Sequence, residues 1–444
     1  MTESAYWNPK NEQMPRADLE RLQLYKLKRL LKTAHDTSAF HRSKFDQAGF
    51  DPTKVTTLSD LRHVPFTTRD DWMASQRRSP RFGDLLVRPE AEAIRYHLTS
   101  GTSGREPLRV LDSRRDWQWI SECWAYGFWA AGVRPTDRVF FAFSYGSFIG
   151  FWGAHYCCER LGALVIPSGN MGTDMRVKQI IDMGVTTVCA TPTYALRMAQ
   201  VATELGIDLK ASAVRRVIVS GEPAGSIPET KALIERQWGA KCFDTAGMTE
   251  LGTICMFECE AQPGGMHIIE DHYIEEVIDP VTDEAVGYGE RGERVVTSFG
   301  RSMIPVVRYR TRDLVVKVPN DRCSCGRTSD IYEGGIQGRV DDMLLVRGTN
   351  VYPRAIESIV RSIPEIDEFQ VLLETINNVD EITVRVEMKQ LSGVTFESIR
   401  GKLSRDLKEH HEMLRINVAE ADSGSLPRFE LKAKRVLDKR TVKA

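Results

Sequence analysis

Hydroxyls alternate with glycines in Thr99-Ser100-Gly101-Thr102-Ser103-Gly104, directly after Arg95-Tyr96-His97-Leu98. Glycine lets a backbone approach a ligand and present its N–H groups, and Ser and Thr hydroxyls are short, rotatable donors. Together they suit phosphate oxygens, and Arg105 and Arg109 add positive charge beside them. The run is not a P-loop, because no Gly-Lys-Ser/Thr closes it. Four later segments carry further polar chemistry: Ser220-Gly221-Glu222-Pro223, Asp244-Thr245-Ala246-Gly247-Met248-Thr249-Glu250, Tyr309-Arg310-Thr311-Arg312-Asp313-Leu314 and Gly338-Arg339-Val340-Asp341-Asp342-Met343. Taken singly, each has a plain structural explanation. Thr249-Glu250 reads as a helix-start cap, Gly221-Glu222-Pro223 as a turn, and Asp313 as a carboxylate paired with Arg310 or Arg312.

A second set of residues has the chemistry of a metal site. Cys323-Ser324-Cys325-Gly326 reads as a loop, and Cys255, Cys259 and His267 lie upstream around Gly264-Gly265. A Cys-x-Cys pair in a polar turn is poor core material, whereas three or four thiolates with one imidazole make a tetrahedral zinc set. Such a set leaves no open coordination position, so its role is structural. His272 reads as a satisfied strand or surface residue.

In this order the five segments resemble the adenylate-forming superfamily of acyl-CoA synthetases, peptide-synthetase adenylation domains and luciferase. The chain is more closely similar to the phenylacetate–CoA ligase family, which has a short N-terminal region like Tyr6-Trp7-Asn8-Pro9, then a helix, then Pro65-Phe66-Thr67. The resemblance implies ATP-dependent activation of an aryl or arylalkyl carboxylic acid as acyl-AMP, followed by transfer to the thiol of coenzyme A. The alternative acceptors are a carrier-protein thiol, an amine or another nitrogen nucleophile. The resemblance gives Thr99 to Gly104 the β- and γ-phosphates, and Gly221, Glu222, Pro223, Asp244, Ala246, Gly247 and Met248 the AMP. It implies Thr249 at the α-phosphate, Glu250 on Mg2+, and Asp313 with Arg339 on the ribose. It also implies Asp341 as the hinge, and Lys432 as the catalytic lysine with Lys434 as fallback. The acyl pocket is expected near Tyr145, Phe148 and Phe151, and structural Zn2+ on Cys259, His267, Cys323 and Cys325, with Cys255 able to replace one ligand. A homodimer is expected from the same resemblance. Three positions depart from the pattern: Leu108 follows Pro107 where a Lys is usual, Ala246 replaces an aromatic residue, and Leu431 replaces a Gly before Lys432.

The elements that must position these residues are legible in outline. Val139 to Phe143, Ala163 to Pro167, Thr187 to Ala190 and Arg216 to Val219 read as short buried strands, with helices over 192–205 and 228–238 between them. That alternation predicts an α/β fold with a largely parallel sheet. The stretch 270–318 reads as more antiparallel. Leu19, Leu22, Leu24, Leu27, Leu30 and Leu31 give a helix over 16–34 one broad apolar face. The texture changes after Asp341: a helix over 353–362, strands near 369–373 and 381–387 and a helix over 396–410 predict a small mobile α+β lid domain, 341–444, beside a large domain, 1–340. The formal net charge is −1, so no global field favours nucleic acid or an anionic membrane. No apolar run reaches the ~20 residues that span a bilayer, and residues 1–10 lack an apolar signal-peptide core. A cytoplasmic protein with reduced cysteines is expected.

Overall fold

The computed structural model describes residues 4–79, 81–99, 106–347, 349–377, 379–389, 393–411, 413–429 and 433–440. Its centre is a 12-stranded mixed sheet. One half is parallel: Leu164–Pro167, Arg138–Phe141, Thr187–Ala190, Arg216–Ser220 and Lys241–Gly247 lie side by side in that order. These strands are nearly continuous apolar runs because helices cover both faces. Helices Thr173–Asp182, Pro192–Glu204 and Pro228–Trp238 supply that cover, and Tyr194, Ile234 and Trp238 are buried with Val188 and Val217. The other half turns antiparallel through Ile254–Phe257, Gly265–Ile268, Ile331–Glu333, Val306–Val318, Arg291–Ser298 and Tyr273–Ile278. The expected change of strand direction is therefore present, although the first strand stops at Phe141 and leaves Phe143 outside it.

Helix Arg114–Ala130 closes the other side of this core. Ser113 and Asp116 form a capping box at its start, and Asp116 also accepts from the backbone of Ser302 at 2.5 Å. A short hairpin, Ala93–Leu98 with Arg109–Ser113, leads into that helix and holds the ends of the glycine–hydroxyl loop together. Helix Arg16–Thr37 packs Leu27 and Leu31 on Val307 and Ile274.

The last hundred residues build their own sheet, ordered Asn417–Glu420, Val379–Met388, Ile366–Ile376, Val436–Asp438, with its two outer pairings parallel. Helices Pro353–Arg361 and Phe396–Glu409 bury Ile356, Val360, Leu403 and Leu407 against Val371, Val384 and Val386. This α+β unit has a hydrophobic cluster of its own. The fold is the expected α/β arrangement of a large mixed-sheet body with a small C-terminal α+β part.

Candidate active site and a cysteine–histidine cluster

The parallel strands deliver the polar segments at their C-terminal ends, where open α/β sheets bind ligands. Strand Arg216–Ser220 ends in Gly221 at φ 92°, a left-handed conformation that glycine adopts without strain. The Glu222 carboxylate follows, accepting from Thr193 N–H at 3.1 Å and from the backbone N–H of Ala433. Asp244, at the next strand, lies under this turn. It accepts from Ser226 Oγ at 2.6 Å, and a side chain at Gly225 would meet its carboxylate. Burial pushes the Asp244 carboxyl up, and the nearby Glu258 charge adds to that.

Thr249 and Glu250 sit in the turn between strands Lys241–Gly247 and Ile254–Phe257, which approach closely at Gly247. A Cβ there would lie 2.2 Å from the carbonyl of Thr253. The turn is held from beneath by Arg301. Its Nη1 donates to the carbonyls of Thr249 at 2.6 Å and Glu250 at 3.0 Å, while Nε and Nη2 donate to Asp112 Oδ1 at 2.9 and 2.8 Å. Arg301 and Asp112 have 0% side-chain exposure, so this pair is sealed from water. Nothing in the sequence marked either residue. Burial raises the Glu250 carboxyl, opposed by Arg69, Arg339 and Arg301.

Asp313 and Arg339 face each other across paired strands, with Arg339 Nη1 donating to Asp313 Oδ1 at 3.0 Å. The other side of the same guanidinium donates from Nε to Asp341 at 2.9 Å. Buried Arg294 approaches Asp313 at 3.9 Å from behind. Burial raises the Asp313 carboxyl, with Arg339 and then Arg294 pulling it back.

Leu98 reaches the aromatic segment, its N–H donating to Ser147 O at 2.9 Å, while Thr99 N–H donates back to Leu108 O at 3.0 Å. Arg109 stands opposite Leu98 in the hairpin. Ser100, Gly101, Thr102, Ser103, Gly104 and Arg105 lie outside the described residues, as does Lys432. Of the aromatic residues, Tyr145 stacks on Phe143 at 4.0 Å, meets Trp152 edge-on at 4.8 Å and hydrogen-bonds His155 Nδ1 at 2.8 Å. Phe148 is 45% exposed, whereas Phe151 is in the core against Trp124 and Phe141. Ala246 and Met248 flank Gly247 at the floor of this region.

The structure brings Cys259, His267, Cys323 and Cys325 together, their donor atoms all within 4.8 Å of one another. Cys259 and Cys323 sulfurs are 3.6 Å apart, and Cys325 Sγ lies 3.3 Å from His267 Nε2. A tetrahedral site with bonds of about 2.3 Å to sulfur and 2.0–2.1 Å to nitrogen has edges of about 3.5–3.8 Å, so these four donors fit a closed metal site. Ser329 Oγ, 3.4 Å from Nδ1, supports the other side of the imidazole. A hydrogen bond from Cys259, seconded by His267, holds the Cys325 thiol below its usual range. Cys255 does not join them. Its sulfur accepts from Arg294 Nη2 at 2.7 Å, and burial pushes its thiol up to about 12. His272 accepts from Trp119 Nε1 at 2.9 Å and is half-buried. The chain's N-terminal segment packs on the loop of Cys325, through Tyr6 Oη to Cys325 O at 2.8 Å and Arg327 to Glu12 at 2.6 Å.

Comparison with known proteins fits this geometry. Residues 348–440 match the AMP-binding enzyme C-terminal domain family. The chain is 35% identical to the phenylacetate-coenzyme A ligase of Pseudomonas putida over 96% of each chain. The chain belongs to the phenylacetate–CoA ligase family. It is an AMP-forming acid–CoA ligase, with ATP and CoA as substrates beside the acid.

The C-terminal part of this ligase adopts a definite pose. A crystal structure of 2-hydroxyisobutyryl-CoA ligase in the postadenylation state matches at TM-score 0.93 with 31% identity, over 98% of this chain and 93% of that one. The thioesterification state of that enzyme matches at 0.75 with 32% identity, over 99% and 94%. Coverage is nearly equal, so the gap reports how the parts are arranged rather than the fold. In this arrangement Arg354 Nη2 donates to Ser226 O at 2.8 Å and Ser358 Oγ to Glu229 at 2.8 Å. Lys434 is exposed, while Arg435 is buried on Glu368 at 2.8 Å.

Among the described residues, no helix is long and apolar enough to cross a membrane.

Proposed function

We propose that the acid is an aryl or arylalkyl carboxylic acid, seated beside Tyr145 and Phe148 with Phe151 behind them. The observation that carries this reading is the ring cluster of Phe143, Tyr145 and Trp152, already stacked where the glycine–hydroxyl loop begins. A preassembled aromatic wall favours a flat, polarisable ring over a compact aliphatic acid. The name of the P. putida relative supports it.

The acid's carboxylate attacks the α-phosphorus of ATP, forming acyl-AMP and releasing pyrophosphate. CoA thiolate then attacks the acyl carbonyl and AMP leaves. In this reading Thr99 to Gly104 hold the β- and γ-phosphates, with Arg105 or Arg109 supplying the missing lysine's charge. Gly221, Glu222 and Pro223, with Asp244, Ala246, Gly247 and Met248, form the AMP pocket. Thr249 donates to the α-phosphate. Asp313 accepts the ribose hydroxyls with Arg339 beside it, and Lys432 supplies a point charge to the carboxylate and α-phosphate. Glu250 is the residue that would hold Mg2+, which when bound neutralises charge on the departing pyrophosphate. Cys259, His267, Cys323 and Cys325 would hold Zn2+, which when bound ties the loop of Cys325 to the sheet. The small domain, 341–444, turns at Asp341 between the half-reactions.

The test is turnover of a panel containing phenylacetate, benzoate, 2-hydroxyisobutyrate and hexanoate, with mass detection of acyl-AMP and then of the CoA thioester. Aryl acids should lead by at least about tenfold, a difference worth about 1.4 kcal/mol in transition-state binding. Preference for 2-hydroxyisobutyrate overturns the aromatic assignment. Acyl-AMP that forms but never passes to CoA would point to a carrier-protein thiol or an amine.

A further inference from the structure

We propose that the Glu222 carboxylate is a latch that holds the C-terminal unit in its acyl-AMP-forming pose, making Glu222 a positioning residue as well as part of the AMP turn. The proposal rests on the reading above that this chain passes through an acyl adenylate.

Each oxygen of the carboxylate is committed to a backbone donor. Oε2 accepts from Thr193 N–H at 3.1 Å, at the first turn of helix Pro192–Glu204. Oε1 accepts from Ala433 N–H, which belongs to the C-terminal unit. The first donor is fixed in the large body and the second arrives with the smaller one. A backbone donor cannot swing aside as a side chain can, so this contact is made only when the segment at Ala433 lies in one place. Two residues further on, Arg435 is anchored within the C-terminal unit by Glu368 at 2.8 Å and Glu357 at 3.4 Å. The tether from latch to unit is therefore short, and Ala433 directly follows Lys432 in sequence.

The same turn receives the unit a second time, at Ser226 O from Arg354. Arg354 also donates to the carbonyls of Gly334 at 3.0 Å and of Ile336, Ser358 meets Glu229 at 2.8 Å and Gln200 meets Asp367 at 3.1 Å, but in each of these the C-terminal unit offers a side chain that can rotate away. The arrangement superimposes better on a postadenylation state of 2-hydroxyisobutyryl-CoA ligase than on its thioesterification state. When the unit turns, Oε1 loses its donor while Oε2 keeps its own. The latch therefore biases the pose by about one charge-assisted hydrogen bond, on the order of tenfold or more in population. Burial raises the Glu222 carboxyl, and the donors at Ala433 and Thr193 pull it down, so the group is held by these contacts rather than by water.

The experiment uses the full-length enzyme with Glu222→Gln and Glu222→Ala. Single-turnover acyl-AMP formation, thioester formation from supplied acyl-AMP, and amide hydrogen exchange over 190–200 and 426–440 are measured together. The ratio of the adenylation rate to the thioesterification rate should fall about tenfold in Glu222→Ala. Exchange at the Ala433 amide should rise by a similar factor. Glu222→Gln, which keeps one acceptor oxygen, should fall between Ala and wild type, and it carries the test if the Ala variant does not fold. Equal slowing of the two half-reactions with unaltered exchange at Ala433 overturns the latch. Wild-type enzyme that makes no acyl-AMP from any acid overturns the underlying reading instead, and the exchange data then decide the latch alone.

Discussion

Two arginines beside the proposed nucleotide site, Arg301 and Arg339, make a useful contrast. Arg301 is wholly buried and spends its donors on Asp112 and on the carbonyls of Thr249 and Glu250. Arg339 is 32% exposed and divides its guanidinium between Asp313 and Asp341. The first fixes the turn that would meet the α-phosphate. The second joins a carboxylate of the large body to one at the proposed hinge. A sealed ion pair is a poor switch, because removing either partner strands a charge. A half-exposed pair can exchange partners with water at low cost.

The largest expected effect lies on the sealed side. Arg301→Leu leaves Asp112 buried without its cation and should cost about 3–5 kcal/mol in urea unfolding. Adding Asp112→Val should recover much of that stability while acyl-AMP formation stays slow, because the carbonyls of Thr249 and Glu250 still lack their donor. Full recovery of activity in the double variant would show that the clamp serves stability alone.

Next comes Lys432→Ala, on the moving side. Loss of one point charge at the transition state should slow acyl-AMP formation on the order of 10²–10³-fold, with a much smaller loss in thioester formation from supplied acyl-AMP. Comparable damage to each half-reaction would refute the division of labour, and damage confined to Lys434→Ala would transfer the role.

How far the sequence revealed this contrast depended on how local each feature is. The parallel strands stood out as continuous apolar runs, and the cysteine set because a Cys-x-Cys pair in a polar turn is poor core material. Cys255 stayed open as a ligand because chain spacing does not say which way a strand residue points, and here it points to Arg294. Helix Arg114–Ala130 escaped notice because its second half is buried all round: Cys123, Ala125 and Tyr126 are covered as fully as Trp124 and Phe128, so the polar stripe of Arg115, Gln118 and Glu122 does not continue to mark its period. Two long-range partnerships, one ion pair and one backbone-to-carboxylate hydrogen bond, were out of reach. Arg301 lies 189 residues from Asp112, and Ala433 lies 211 from Glu222, with no motif to join them.

A third prediction concerns a site that resembles Arg301 in being closed. Cys323→Ser should abolish stoichiometric zinc in purified protein and lower stability by about 2 kcal/mol, with little direct effect on the half-reaction ratio. Undiminished zinc in this variant would remove Cys323 from the ligand set. Metal-free wild-type protein with unchanged stability would remove the metal altogether.

The smallest effect, and the one that most sharpens the contrast, is expected from Arg339→Lys. The charge is kept, but a single ammonium cannot present Nη1 to Asp313 and Nε to Asp341 at once. If Arg339 only neutralises Asp313 beside the ribose, Lys should serve nearly as well, and the change should appear as a few-fold rise in KM for ATP. If it also ties the hinge to the ribose carboxylate, the ratio of adenylation to thioesterification should fall as well, by less than about tenfold, since Arg339 and Asp341 are partly solvated. Asp341→Asn separates the two effects. It should weaken the hinge contact while leaving Arg339 on Asp313, and so move the ratio without the rise in KM. A ratio unchanged in both variants would leave Glu222 as the carrier of the pose and reduce Arg339 to a nucleotide contact.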